Sequence, residues 1–346
     1  MSPSGIITVA RLELMQRFRG LRWHLAFLAW FLSLGFLTWL TWLAVGDAGE
    51  PGQGVVILDI ILFFVLGLSL LIMPALTATS VNGDRDAGVL ATLQTTLLGP
   101  ADIIVGKLVG SMVMASTFLG LAAPFLLLAL VAGGVDLLGA ARVVLVLVVI
   151  LTTVCAIGLM FSTLVARPVG SAVLTYLTIA SLSLLTLILF GMSVPLVSSQ
   201  ERVTVHGVRD FTSDGPQQCT TFSEVRSVTH TERSWWLLGV NPFVIVADAA
   251  PNDHRALAEG TGSGGFTPLR WISYGTRLAK AGPPDVVDEC YQDGSSTSST
   301  QRVADEFPAW PVGLALHVLA GAGATAIAVQ RVRTPIRRLP SGTRVA

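Results

Sequence analysis

The residues best suited to a specific task lie in Asn82–Lys107 (NGDRDAGVLATLQTTLLGPADIIVGK), a charged stretch between two long apolar runs. Asp84, Arg85 and Asp86 open it and Gly88 follows. Val89, Leu90, Leu93, Leu97 and Leu98 then recur at helical spacing until Gly99-Pro100 stops them. The chemistry this suits is non-covalent. A ridge of Leu90, Leu93 and Leu97 can fill a cleft in another protein while the fixed charges set its register. An ordinary solvated loop is the alternative, but leucines every three to four residues are unnecessary there. The spacing predicts a chain leaving one apolar run, a short amphipathic helix, and a return through Gly106-Lys107.

Covalent chemistry has little support. The chain contains no G-x-x-x-x-G-K-[ST], no G-x-S-x-G, no H-E-x-x-H and no Cys-x-x-Cys. Gly260–Pro268 (GTGSGGFTP) is glycine-rich but lacks the Lys-Ser/Thr of a phosphate cradle. His206, His230 and His254 lack the tight spacing of metal ligands and read as surface residues, so no metal is expected.

A few polar residues stand inside apolar runs. Asp59 is the only carboxylate well inside one. Burying it at depth would cost roughly 3 kcal/mol, which makes it a functional candidate unless it reaches water near Gly54. Ser171, Thr175, Thr178 and Thr186 fall within about 80° of arc at ~100° per residue. They either line a path or, more simply, serve helix contacts by bonding back to their own helix. Gly106-x-x-x-Gly110 permits close helix approach.

The elements that must position these residues are transmembrane helices. Of 346 residues, 52% are hydrophobic and 13% charged, with mean hydropathy +0.69. A water-soluble domain carries about 25% charged residues. Six runs, at about 23–45, 54–80, 106–133, 141–166, 169–196 and 309–330, are each long enough for a ~30 Å hydrocarbon core. Only helices satisfy their own backbone there, and the ~10-residue alternating segments of a barrel are missing. The first run exceeds the ~7–15-residue core of a signal peptide and no small-residue cleavage site follows it. Gly5–Arg19 (GIITVARLELMQRFR) reads as an amphipathic interfacial helix. The expected fold is thus an all-α polytopic membrane protein with six transmembrane helices.

Charge orients it. With the N-terminus cytoplasmic, the inner pieces hold twelve basic and four acidic residues, against ten basic and eighteen acidic elsewhere. Residues 1–196 then comprise the interfacial helix and five spans, with the segment 81–105 inside the cell. Residues 197–307 form a small extracytoplasmic domain, and 308–346 the last span with a basic cytoplasmic tail. The outer region holds Cys219 and Cys290, whose oxidising compartment suggests a disulfide, with two unpaired thiols as the alternative, whereas Cys155 lies in a span. Its apolar island Ser234–Ala250 (SWWLLGVNPFVIVADAA) is too short to span and is broken at Asn241-Pro242, so a re-entrant or interfacial element is expected. Trp235 and Trp236 suit either the headgroup level or a domain core.

Asp84-Arg85-Asp86, Gly88, Leu90, Leu97-Leu98, Pro100 and Gly106-Lys107 together resemble a segment of the permease subunits of ABC type-2 exporters. That family's pattern runs Glu-Arg-Glu, x, Gly-Thr-Leu, then Leu-Leu, x, Thr-Pro, and later Gly-Lys. Here aspartates replace the glutamates, Val89 the first threonine and Gly99 the second, with the charge pattern kept. Asn241-Pro242-Phe243 is similar to its outer re-entrant region. The resemblance implies six spans and a segment between the second and third that docks on a separate ATPase subunit. ATP and Mg would be bound by that subunit and by none of this chain's residues. It implies pairing with a second copy or a paralogous permease in the bilayer, with no nucleic acid involved. The apolar walls suggest a hydrophobic or amphiphilic cargo such as a drug, lipid, peptide or glycolipid. The competing expectation is a membrane-anchored sensor or scaffold whose outer domain binds a ligand. A membrane enzyme is the weakest.

Overall fold

A computed structural model of the chain describes residues 2–45, 53–94, 98–208, 219–251, 267–290, 303 and 306–333. Leu97, His254, residues 260–266, Gly294–Gln301 and the tail arginines Arg337, Arg338 and Arg344 lie outside them. The described chain is mostly helical, with six helices long and apolar enough to cross a membrane.

Helix α1 (Pro3–Phe18) is followed at once by α2 (Leu21–Val45), the first span. The second, α3 (Gln53–Thr77), is broken near Thr79 and continues as α4 (Ser80–Asp86). A short α5 (Val89–Gln94) precedes the third span, α6 (Pro100–Val131). Next come α7 (Leu137–Leu164) and α8 (Pro168–Ala180), then a π-helical turn, Ser181–Leu185, leading into α9 (Thr186–Ser193). These last three pieces together form the fifth span.

Strands β1 (Ser198–Gly207) and β2 (Thr220–Thr229) pair antiparallel, from Ser198 opposite Thr229 to Gly207 opposite Thr220. Helices α10 (Trp236–Gly239), α11 (Pro242–Ala249) and α12 (Pro268–Ala281) follow. Strand β3 (Val286–Asp288) then joins the free edge of β1 in parallel, giving the order β2-β1-β3. The last span is α13 (Trp310–Val332). This sheet corrects the all-helical expectation: Val203, Val205 and Val287 belong to a mixed sheet outside the spans. Cys219 and Cys290, expected as a pair, are joined beside it.

The core lies between α3, α6 and α7, where Leu62, Leu66, Met114, Phe118, Leu147 and Ile150 are buried. The first span rests on this core through Trp30, whose indole N–H donates to the Phe118 carbonyl at 3.0 Å.

The third span begins at Pro100, six residues before the expected start. Pro100 at the first helical position is pre-organised, and the Asp102 carboxylate accepts the Gly99 N–H at 3.1 Å and the Ser2 N–H at 2.9 Å. At 32 residues the helix is about 48 Å long, more than the ~30 Å hydrocarbon core, so part of it lies beyond that core. Its first turns receive α1. Val9 packs on Gly106 and Glu13 on Gly110, so the two helices run side by side in the same direction. A Cβ at Gly106 would fall 2.6 Å from the Val9 Cβ, which is why glycine stands there. The apolar residues of α1 divide: Val9 and Ala10 are buried, while Ile7 and Met15 are exposed.

Candidate functional site

Everything expected of Asn82–Lys107 depends on the joint between α3 and α4. A helix that stops leaves carbonyls without intrahelical partners. Here other elements supply the donors. Arg17 of α1 donates to the Leu76 carbonyl at 3.1 Å, Ser171 of α8 to the Ala78 carbonyl at 2.5 Å, and Lys107 of α6 to the Ser80 carbonyl at 3.2 Å. On the far side Ser162 of α7 accepts the N–H groups of Val81 and Asn82 and donates to Asn82 Oδ1 at 2.8 Å. The Asn82 amide donates to the Val165 carbonyl at 3.1 Å. Four helices therefore hold one joint.

Lys107 is the centre of this arrangement and is only 2% exposed. Its Nζ lies 2.6 Å from Asp84 Oδ2 and 3.0 Å from Glu13 Oε2, and donates to the Ser80 hydroxyl at 3.1 Å. Glu13 also takes Arg17 at 2.5 Å. The charges alternate from Arg17 through Glu13 and Lys107 to Asp84, two of each sign. Burial pushes the Glu13 carboxyl up, but the opposing charges and hydrogen bonds of Lys107 and Arg17 together hold it below the usual carboxylate range. Glu13 had no signal in sequence, since it is 94 residues from Lys107.

Asp84, expected as a free docking charge, and Lys107 thus bind each other inside the protein. Leu90 is buried at 1% with Val81, Ile103, Ile104, Leu159 and Val332, and Leu93 packs against the same cluster. Of the ridge expected to meet a partner, Leu90 and Leu93 are turned toward the protein's own helices. What α4 and α5 present outward is the turn between them. Arg85 is half-buried, and Asp86, Ala87 and Gly88 are exposed. Gly88 has φ +72°, a left-handed value that glycine adopts without steric cost, and this reverses the chain from α4 into α5.

The proposed path residues are placed differently from one another. Asp59 is buried and its Oδ2 accepts the Leu269 N–H at 3.0 Å, so it caps the start of α12. Ser171 and Thr175 are fully buried; Ser171 serves the joint and Thr175 donates to the Ser171 carbonyl at 2.8 Å. Thr178 is partly exposed and donates to the Leu174 carbonyl. Thr186 donates to the Leu182 carbonyl and accepts the Asn241 amide at 2.9 Å. None of the five lines the groove of about 460 Å³ walled by Phe63, Gly67, Tyr176, Ser183 and Phe243.

Asp248 was not foreseen. Its Oδ1 accepts Ser273 at 3.0 Å and Arg277 at 2.7 Å, and its Oδ2 accepts the N–H groups of Ala309 at 2.6 Å and Trp310 at 3.0 Å. One carboxylate thereby ties α11 and α12 to the start of the sixth span. The signal was present: a single acid in the apolar run PFVIVADAA. In the same island Asn241 caps α11 through the Phe243 N–H and donates to the Ser183 carbonyl at 2.7 Å, inside the π-helical turn. Trp235 stacks under Lys280 and Trp236 is exposed.

Among the described residues one set of possible metal ligands is gathered, His206 with Cys219 and Cys290, whose sulfurs are bonded to each other. A disulfide sulfur is not the thiolate a metal requires. No protein-family model matches the chain, and no curated protein matches it.

Proposed function

We propose that the chain is the transmembrane permease subunit of an ATP-driven ABC exporter, working with a separate ATPase subunit and a second copy of itself or a paralogue. The observation that supports this most is the rigid mounting of α4 and α5. A surface loop that merely obeyed topology would not need a buried lysine with two carboxylates at its root. A lever does. Force applied at the exposed turn Asp86–Gly88 reaches α3 through the joint, α6 through Lys107 and α1 through Glu13.

In this reading the ATPase grips the turn, with Arg85 and Asp86 setting the register. The inward leucines hold the turn to the protein and do not enter the partner. Nucleotide-driven closure of two ATPases moves two such turns, and alternating access follows from tilting α3 and α6 against their neighbours. ATP and Mg belong to the partner. The N- and C-termini lie in the cytoplasm and the disulfide-linked sheet outside the cell. The cargo is hydrophobic or amphiphilic, because the grooves between helices are walled almost wholly by apolar side chains.

Copurification with an ATPase bearing nucleotide-binding motifs, followed by ATP-driven export in proteoliposomes, tests the reading. Arg85→Glu should leave the fold intact and reduce ATPase binding. If no ATPase associates with the intact chain, the reading fails.

A further inference from the structure

We propose that a groove between α6, α7 and α13 is a binding site for an anionic phospholipid of the leaflet on the α1 side of the membrane. The groove has a volume of about 770 Å³, within the range of sites that hold sizeable ligands. Its walls are apolar, with Leu108 and Met112 from α6, Val149 and Ala156 from α7, and Val318 and Ala326 from α13.

The three threonines in the wall do not make it polar. Thr152 donates to the Val148 carbonyl, Thr325 to the Gly321 carbonyl, and Thr153 to the His317 carbonyl at 3.0 Å. The polarity is confined to one end, where Gln330 and Arg333 line the mouth and both are exposed.

The dimensions match one leaflet. From Val318 to Arg333 the wall follows fifteen residues of helix, about 22 Å at ~1.5 Å per residue. Half of a bilayer about 40–45 Å thick with its headgroups is about 20–22 Å, so a wall of that length runs from mid-membrane to headgroup level. Its wet end is thus where a phosphate would lie. A guanidinium there can take two phosphate oxygens at once. Ala101, in the first turn of α6, lines the same mouth, so the positive end of that helix also faces it. The nearest acid of that turn, Asp102, is buried and engaged with Ser2 and Gly99. The last carbonyls of α13 oppose an anion, but they amount to about half a charge against the full charge of Arg333.

The full chain in bilayers containing spin-labelled phosphatidylglycerol or phosphatidylcholine provides the test, read as the motionally restricted fraction of each lipid. The expected result is a preference of about fivefold for phosphatidylglycerol, the attraction of one arginine at an anionic surface. Arg333→Gln should abolish the preference while some restriction of both lipids persists. Arg331→Gln, also exposed but outside the groove, should keep it. Ala322→Trp with Ala326→Phe should fill the groove and lower the restricted fraction of both lipids. A preference unchanged in Arg333→Gln, or no preference in the unaltered chain, overturns the proposal. So does a preference that emerges only when residues 334–346 are removed, because the tail would then be the occupant.

Discussion

Lys107 and Asp84 meet at 2.6 Å between α6 and α4, with the lysine almost wholly shut off from solvent. The contact converts a surface turn into an extension of the spans. Removing one partner of a buried, hydrogen-bonded pair leaves an uncompensated charge, at a cost of about 3–5 kcal/mol. Lys107→Met is therefore expected to lower thermal stability in detergent by that order, because Glu13 and Asp84 would be left facing each other. Replacing Asp84 by Asn in the same chain, with Glu13 left to Arg17, should recover much of it. Melting curves of the single and double variants check both statements.

Gly106→Leu should separate α1 from α6. The Val9 side chain and the Ile6 carbonyl leave no room beside Gly106, and overpacking of this kind costs about 1–3 kcal/mol. The expected readout is faster proteolysis within residues 3–18 with the six spans still protected.

Asp248→Ala should detach the start of the sixth span from α12. It removes the acceptor of Ser273, Arg277, Ala309 and Trp310 together and leaves Arg277 without its carboxylate. The loss is expected at about 3–5 kcal/mol, with Asp248→Asn milder because it can still accept some of these bonds. Hydrogen exchange at Ala309–Gly313 measures it directly.

The outer sheet should be most stable in mildly acidic solution. His230 lies 3.0 Å from Glu201 and 2.8 Å from Glu232, one on each ring nitrogen. These hydrogen bonds, with Glu201 first and Glu232 second, raise its pKa. A neutral ring can donate to only one of the two. Because the folded state prefers the protonated ring, the stabilisation is complete below the unfolded value of about 6.5 and is lost as pH rises through the folded value. Hydrogen bonds from Ser199 and His230 hold Glu201 below the usual range, so its share is lost only as pH falls through that lowered value. Arg233 is the other charge in the cluster. Relative to the base-catalysed intrinsic exchange rate at each pH, protection of the β1 and β2 amides should rise between pH 8 and pH 6 in the unaltered chain and show no such rise in His230→Gln.

The spans were legible because hydropathy is a local property, and the pairing of Cys219 with Cys290 because two cysteines shared one polar region. The outer sheet was not. Strand β3 meets β1 some 80 residues later in the chain, and the three residues Val286–Asp288 are too few to show a strand's alternation. The start of α6 was misread because Gly99-Pro100 looks like a helix stop, yet it is also a helix start when an acid follows at Asp102. The leucines of α5 showed that a helix must bury one face. They did not show against what, and the partner proved to be Ile103, Ile104 and Leu159 of the same protein. Asp59 and Asp248 are a parallel pair: both are single acids in apolar surroundings, and both cap a helix distant in sequence.

The most direct test of the coupling assignment is a photo-reactive residue at Ala87, on the exposed turn, in cells that express the complete transporter. A crosslink to an ATPase subunit whose yield changes between ATP-bound and nucleotide-free states is the predicted result. An Ala87 that reacts with no ATPase, or that is labelled by a membrane-impermeant reagent added outside intact cells, contradicts it.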